Sequence, residues 1–155
     1  MTGPKIDWNR MRFEPDYDSQ VWWNFTGTDN LMVRSCNKCD HKWWPPGVIG
    51  CANCGEYEDV GWVESNGKGF IYTYVVAVQP MLAAFVEAVP YVTAVVELDG
   101  IRGSNDAPVR MWGVVDESED EIGINAKVQV YFEETAQEGM KVPRWRLDGP
   151  AGSDV

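Results

Sequence analysis

From residue 70 onward, β-branched and aromatic residues come in short runs set apart by turn formers, and the runs read as strands. Phe70 to Val78 is the first, Tyr91 to Leu98 the second, Arg110 to Val115 the third and Ala126 to Phe132 the fourth. Gly100 to Pro108 is a turn-rich connection, and Ile122-Gly123-Ile124-Asn125 enters the fourth run as a tight turn would. Four or five strands within about 65 residues, joined by long unequal loops, predict a small closed or nearly closed Greek-key barrel of the OB type. An open sheet would leave edges that this sequence does little to protect.

Before residue 66 the pattern is different. Met1 to Pro15 scatters Trp8, Met11 and Phe13 among charged residues without a period, and reads as an arm that needs a surface to lie on. Asp16 to Phe25 places Val21, Trp22 and Phe25 at helical spacing behind an N-cap at Asp16 or Asp18, and Gly27 with Asp29-Asn30 ends it. Leu31 to Arg34 and Gly55 to Val63 read as short strands around two cysteine knuckles, and Ser65-Asn66-Gly67-Lys68-Gly69 is the boundary with the barrel. The expected chain is mainly β: an N-terminal arm and helix (1–30), a rubredoxin-like zinc ribbon (31–65), an OB-fold barrel (66–135) and an extended C-terminal tail (136–155).

The ribbon follows from the cysteines. The chain has four, Cys36, Cys39, Cys51 and Cys54, as two Cys-x-x-Cys pairs with eleven residues between them. Such pairs bring four thiolates to one ion, and tetrahedral zinc is the commonest ion held this way. Disulfides are the rival reading, against which stand the turn formers Asp40 and Gly55 that follow the pairs. Iron is a substitute that a four-thiolate tetrahedron also suits. A closed cage has no open position for water or substrate, so the metal would hold the fold and do no chemistry.

Composition narrows the function. At 155 residues and 45% apolar content there is enough for one packed domain or two small ones. No run of eighteen apolar residues occurs and Met1 to Arg12 lacks the layout of a signal peptide, so the reading predicts no membrane span and a cytoplasmic location, where thiols stay reduced. The net charge is −11, with an acidic block at Asp116, Glu117, Glu119, Asp120 and Glu121. Nucleic acid needs a clustered basic face, so it is not the expected partner. Catalysis is not expected either. Thiolase-like chemistry needs a nucleophilic cysteine with a histidine nearby, whereas all four thiols go to the metal, and the single histidine, His41, two positions past Cys39, reads as part of the knuckle's surroundings. Glu97 and Asp99, on one face of a strand end, read as solvated charge.

The order of short motifs resembles the zinc-ribbon plus OB-fold family of acyl-CoA-associated proteins. These are accessory subunits of thiolase-like, hydratase and aldolase complexes, such as the small subunit of benzoylsuccinyl-CoA thiolase. The resemblance runs from about Asp16 to Leu147 and rests on Arg34-Ser35-Cys36-Asn37-Lys38-Cys39, Trp44-Pro45-Pro46, Cys51-Ala52-Asn53-Cys54-Gly55, Gly67-Lys68-Gly69-Phe70-Ile71-Tyr72-Thr73-Tyr74, Val89-Pro90-Tyr91-Val92, Val96-Glu97-Leu98-Asp99 and Val142-Pro143-Arg144. Gly47 stands where the family often has a basic residue, and the loop from Gly100 to Pro108 looks longer than usual. The resemblance implies a non-catalytic subunit, with one structural zinc ion, that completes or caps the active site of a thiolase-like catalytic partner. That complex would make or break a carbon-carbon bond in a coenzyme A thioester. A self-standing acyl-CoA binding or carrier module is the alternative, and an oligonucleotide-binding OB protein a weaker one.

Contact residues are sought among the aromatics and the cations. Trp22-Trp23 and Trp43-Trp44 are adjacent pairs that cannot both point into one core from a regular strand, so one of each is expected to be exposed or covered by another chain, unless ribbon and helix pack on each other. Pro80 to Val89 is an apolar insertion between strands. As a helix it would bury Leu82, Phe85, Val86 and Val89 along one stripe; as a loop it would be a sticky surface. Arg34, Lys38 and Lys42 surround the first knuckle, where they offset thiolate charge or meet coenzyme A phosphates. Lys141, Arg144, Trp145 and Arg146 make a basic, aromatic tail shaped to lie across a neighbour. The expected contacts with partner or acyl-CoA are therefore Trp43, Trp44, Phe85, Arg144, Trp145 and Arg146. Removing the chain after Glu138 should release the partner and spare the metal.

Overall fold

The computed structural model describes residues 3–47 and 50–149. Within them the chain forms α1 (Gln20–Thr26) and eight strands: β1 (Met32–Cys36), β2 (Lys42–Trp43), β3 (Val60–Glu64), β4 (Lys68–Ala77), β5 (Tyr91–Arg102), β6 (Pro108–Val115), β7 (Lys127–Glu134) and β8 (Lys141–Leu147). The helix starts later than its pattern suggests because Asp16 closes a turn first. Its Oδ1 accepts from the Ser19 hydroxyl at 2.6 Å and from the Ser19 amide at 3.0 Å, and these bonds hold the Asp16 carboxyl below the usual carboxylate range.

The strands make two sheets. β1 is the centre of an antiparallel ribbon in the order β2-β1-β3, and the barrel closes in the order β4-β5-β6-β8-β7, with β7 pairing back to β4. Alternation builds the barrel interior: Val92, Ala94, Val96 and Leu98 of β5 are all buried and point inward, while Tyr91 and Thr93 face out. A bulge in β4 between Ile71 and Thr73 keeps Ile71 in the core and turns Tyr72 outward. The two sheets share one core, in which Trp22, Leu31 and Val33 join the barrel residues.

The largest correction concerns the C-terminus. Lys141–Leu147 is no tail; it is β8, antiparallel to β7 from Glu134 opposite Lys141 to Val128 opposite Leu147, and parallel to β6 where Val115 faces Trp145. Pro143 disguised the strand. It lies before the only residue at which β6 meets β8, on a stretch with one neighbour, where a strand tolerates proline. Trp145 is fully buried and fills the barrel across from two small residues, Ala94 and Gly113, which pair with each other. A Cβ on Gly113 would stand 2.6 Å from the indole, so only glycine leaves the ring its place.

Arg144 is also buried, at 1% exposure, and for a different reason. Its Nη1 donates to Glu133 Oε2 at 2.8 Å and to the Pro4 carbonyl at 3.0 Å, and its Nη2 donates to Asp116 Oδ1 at 2.8 Å. Tyr131 gives its hydroxyl proton to the same Asp116 oxygen at 2.7 Å; burial, with that bond, raises the phenol above its ordinary pKa. The arm thus ends on the barrel. Further along, Ile6 and Trp8 are buried against Ala84 and Ala88, and the Asp7 amide donates to the Ala84 carbonyl at 2.9 Å.

This packing decides the Pro80 to Val89 segment as well. It makes only a three-residue 3-10 turn, Ala83–Phe85, and buries Ala84 and Ala88 where the arm comes close; Leu82 and Val86 stay exposed, and Phe85 is half-buried against Trp8 and Tyr91. A span that short cannot form the apolar stripe of the helical reading, and the segment is the exposed apolar loop of the other.

Cutting Trp145 to alanine should cost about 3–5 kcal/mol, the range for large-to-small changes in a core, while Arg146→Ala on the exposed side should stay within about 0.5 kcal/mol. Urea unfolding of both variants measures the difference, and equal stabilities would remove β8 from the core. Truncation after Glu138 should leave the barrel unclosed, so its cooperative unfolding transition should be lost.

Candidate metal centre

The two knuckles are copies of one backbone device. The Cys36 amide donates to the His41 carbonyl at 2.8 Å while the Asp40 amide returns to the Cys36 carbonyl at 2.9 Å; Cys51, Glu56 and Gly55 repeat both bonds at 2.8 Å. Each turn needs a residue with left-handed backbone, which Asp40 (φ 63°) and Gly55 (φ 81°) supply. The turn formers seen in the sequence therefore have a defined task.

The knuckles converge. All four Sγ atoms lie within 4.8 Å of one another, with Cys36 to Cys54 at 3.6 Å and Cys39 to Cys51 at 3.5 Å. Thiolates placed 2.3 Å from a tetrahedral centre would be about 3.8 Å apart, whereas a disulfide needs about 2.0 Å. The four cysteines are free thiols arranged to hold one metal ion, and the disulfide reading falls. Charge points the same way. The Asn53 amide, 3.4 Å from Cys39 Sγ, draws that thiol down to about 6. Cys54 is pushed up to about 12: a backbone bond at Glu56 lowers it, but burial and the neighbouring sulfurs outweigh that. Four sulfurs this close cannot all ionise without a cation among them.

His41 has a structural partner that sequence did not reveal. Its Nδ1 accepts from the Ser104 amide at 2.9 Å, and its ring stacks on Trp43 with centroids 5.9 Å apart. The stretch expected as a long loop continues β5 to Arg102, and the short turn 103–107 that follows is what reaches the knuckle; Gly103 makes room for it, since a Cβ there would stand 2.7 Å from His41 Nδ1. Glu97 is another correction. It is 7% exposed, held by Arg110 at 3.1 Å and Arg102 at 3.5 Å, and is an ion pair under the barrel's outer face.

The tryptophan pairs pack locally. The Trp22 indole donates to the Met32 carbonyl at 2.9 Å and meets Trp44 at 6.0 Å, while Trp23 lies between Phe13 and Trp22. Trp43 and Trp44 are half-buried. Arg34 sits 4.1 Å over the Trp62 ring and Lys42 bonds Asp40, so the cations near the first knuckle are turned to separate partners. Of the basic tail, Arg146 is exposed, 5.3 Å over Tyr131; Arg144 and Trp145 are buried and cannot clamp a neighbour. The tryptophan that does face outward is Trp112, 54% exposed. Its parity on β6, between the inward Met111 and the inward Gly113 opposite Ala94, follows once the strand's register is known.

A four-cysteine ribbon joined to a closed five-stranded barrel defines a ribbon-plus-OB-fold protein. The chain belongs to the ChsH2/DUF35 family. The family model for the ChsH2 C-terminal OB-fold domain matches residues 62–133. The structure described as an Ltp2-ChsH2(DUF35) aldolase superposes with a TM-score of 0.72 at 30% identity, covering 88% of this chain and 98% of that one. A DUF35 domain-containing scaffold protein of Methanothermobacter thermautotrophicus is 29% identical over 121 residues, 77% of this chain and 84% of the relative. A probable enoyl-CoA hydratase alpha subunit of Thermomonospora curvata is 37% identical over 86 residues, 55% of this chain but only 26% of the relative's length. A DUF35 protein of Sulfolobus solfataricus shares the fold, with a TM-score of 0.54 at 16% identity.

Elemental analysis should find one metal ion per chain. Cys36→Ser or Cys54→Ser should abolish it and melt the ribbon, because metal binding contributes on the order of 10 kcal/mol to such domains. Pure protein free of metal would contradict the assignment.

Proposed function

We propose that the chain is a non-catalytic subunit of an acyl-CoA-processing enzyme complex. One zinc ion holds the ribbon, and ribbon and barrel together complete or cap the partner's active site. The observation that carries this reading is how the reactive groups are engaged. All four thiols converge in one cage, and the one histidine accepts a hydrogen bond from the Ser104 amide, so no cysteine is left to serve as a nucleophile beside a histidine base. The names of the relatives, a hydratase alpha subunit, a scaffold protein and an aldolase component, support an accessory role. Within that class we favour a partner of thiolase type that makes or breaks a carbon-carbon bond in a coenzyme A thioester; an aldolase partner accords with the structural relative. A self-standing acyl-CoA carrier is the second reading, and the exposed apolar residues around Met81 are what favour it. Trp43, Trp44, Phe85 and Arg146 keep enough exposed edge to contribute to contacts with partner or acyl-CoA.

Native mass spectrometry of the untagged chain, purified from its own source, tests the reading. An acyl-CoA enzyme subunit bound in fixed stoichiometry is the expected result, and a stable monomer that binds acyl-CoA alone would favour the carrier. In the assembled complex His41→Ala should lower stability by about 1 kcal/mol, the worth of one hydrogen bond, and leave turnover within a few-fold. A loss of about a thousandfold would make His41 a general base.

A further inference from the structure

We propose that the enzyme partner seats on the outer face of β4, β5 and β6, with the 78–86 segment at its edge; this rests on the accessory-subunit reading. Register defines the face. Thr73, Val95 and Trp112 form one row across the three strands and Val75, Thr93 and Val114 the next, while Tyr72, beside the bulge, lies under the Arg110 guanidinium at 3.6 Å. Tyr72, Val75 and Trp112 are 46%, 53% and 54% exposed on these rows. Beyond the end of β4, Val78, Met81, Leu82 and Val86 are 71%, 87%, 51% and 51% exposed.

The surrounding structure shows how such a face is covered. The arm and the 83–88 turn already bury the Tyr91 and Val114 end of it, through Ile6, Trp8, Ala84 and Ala88. Among the described residues nothing covers the rest. The seven exposed side chains offer on the order of 800 Å², about one partner's share of a standard interface and more than a soluble monomer normally leaves open.

Charge selects the occupant. The rows themselves carry no charged residue; at their edge Glu97 is buried between Arg102 and Arg110, and Arg102 also pairs with Asp106 at 3.8 Å. The face is therefore apolar, and the charges at its edge balance. A second copy would bring its own net charge of −11 against the first, so self-association is disfavoured. The surface of a different protein, with an apolar centre and a rim of mixed charge, fits. Nucleic acid, which OB barrels often take on this side, would meet one aliphatic row after another and few cations.

The experiment places a photo-crosslinking residue at position 112 and, as a control, at Val21, an exposed apolar position on α1, in the tagged full-length chain expressed in its source. Crosslinked proteins are identified by mass spectrometry. In parallel, Trp112→Glu and Val75→Glu are purified under native conditions, with metal content as the check on folding. We expect position 112, and not 21, to crosslink to an acyl-CoA-processing enzyme, and each glutamate to reduce co-purification of that enzyme at least tenfold with metal content unchanged. An enzyme that co-purifies equally with both glutamate variants would overturn the location and leave the accessory role standing. No such enzyme with the unmodified chain would overturn both. A crosslink between two copies through position 112 would assign the face to self-association and also overturn the proposal.

Discussion

The barrel depends on β8 lying between β7, the strand that precedes it in the chain, and β6, which does not adjoin it in sequence. A five-stranded sheet keeps two open edges unless its ends meet, and open edges recruit other chains. Here β8 runs antiparallel along β7 over seven residues and touches β6 in parallel at one, where the Asp116 amide donates to the Trp145 carbonyl at 2.9 Å. That short seam is reinforced from both sides. Inside, the Trp145 indole occupies the space left by Ala94 and Gly113; outside, the Arg144 guanidinium joins Asp116, Glu133 and the arm's Pro4 carbonyl. Removing only the arginine would leave two carboxylates without their shared cation, which is why a buried charge of this kind is fixed in place once its partners exist.

The same strand marks the limit of what could be read from the sequence. Four strands, the ribbon, the arm and the boundary at 65–69 were legible because apolar alternation and turn chemistry are local signals. Lys141 to Leu147 carries a proline and three cations, and by local rules it is a polar tail. Its burial comes from distant residues: the small pair Ala94 and Gly113 that admits an indole, and the acids Asp116 and Glu133 that receive a guanidinium. The metal cage was legible to the residue, since two Cys-x-x-Cys pairs with Asp40 and Gly55 behind them specify turns as well as ligands. The role of His41 was not, because Ser104 lies 63 residues away. For the aromatics the failure was of another kind. Adjacent tryptophans suggested exposure, but in a helix and a proline-bounded turn neighbouring residues are not forced to opposite faces, and Trp22, Trp23 and Trp44 pack together.

The ribbon and the barrel are mechanically one object. α1 and β1 contribute Trp22, Leu31 and Val33 to the barrel's own core, and the β5–β6 loop returns to the first knuckle through the Ser104 to His41 bond. The stretch that looked like an overlong loop in the sequence is therefore what joins the two halves. A metal ion in the cage would fix the knuckle, the knuckle would fix His41, and His41 would hold one end of the loop that leaves β5. The geometry of the barrel's rim and the integrity of the cage are coupled by a chain of direct contacts.

Exposed apolar residues such as Tyr17, Val21, Tyr57 and Ile124 stand singly elsewhere, but on one side they gather. Every buried charge found above has a partner, and the arm and the alanine-rich turn cover the apolar surface they can reach. Trp112, Val75, Tyr72 and the 78–86 edge lie just past that reach. An unassisted chain would gain by exchanging these residues for polar ones, since exposed aliphatics contribute nothing to its own fold and promote association. Their presence beside a carefully covered surface makes sense when a second protein supplies the rest of the cover. The chain's acidity then has a use of its own: with a net charge of −11 it is kept from indiscriminate self-association while the apolar face stays free to bind.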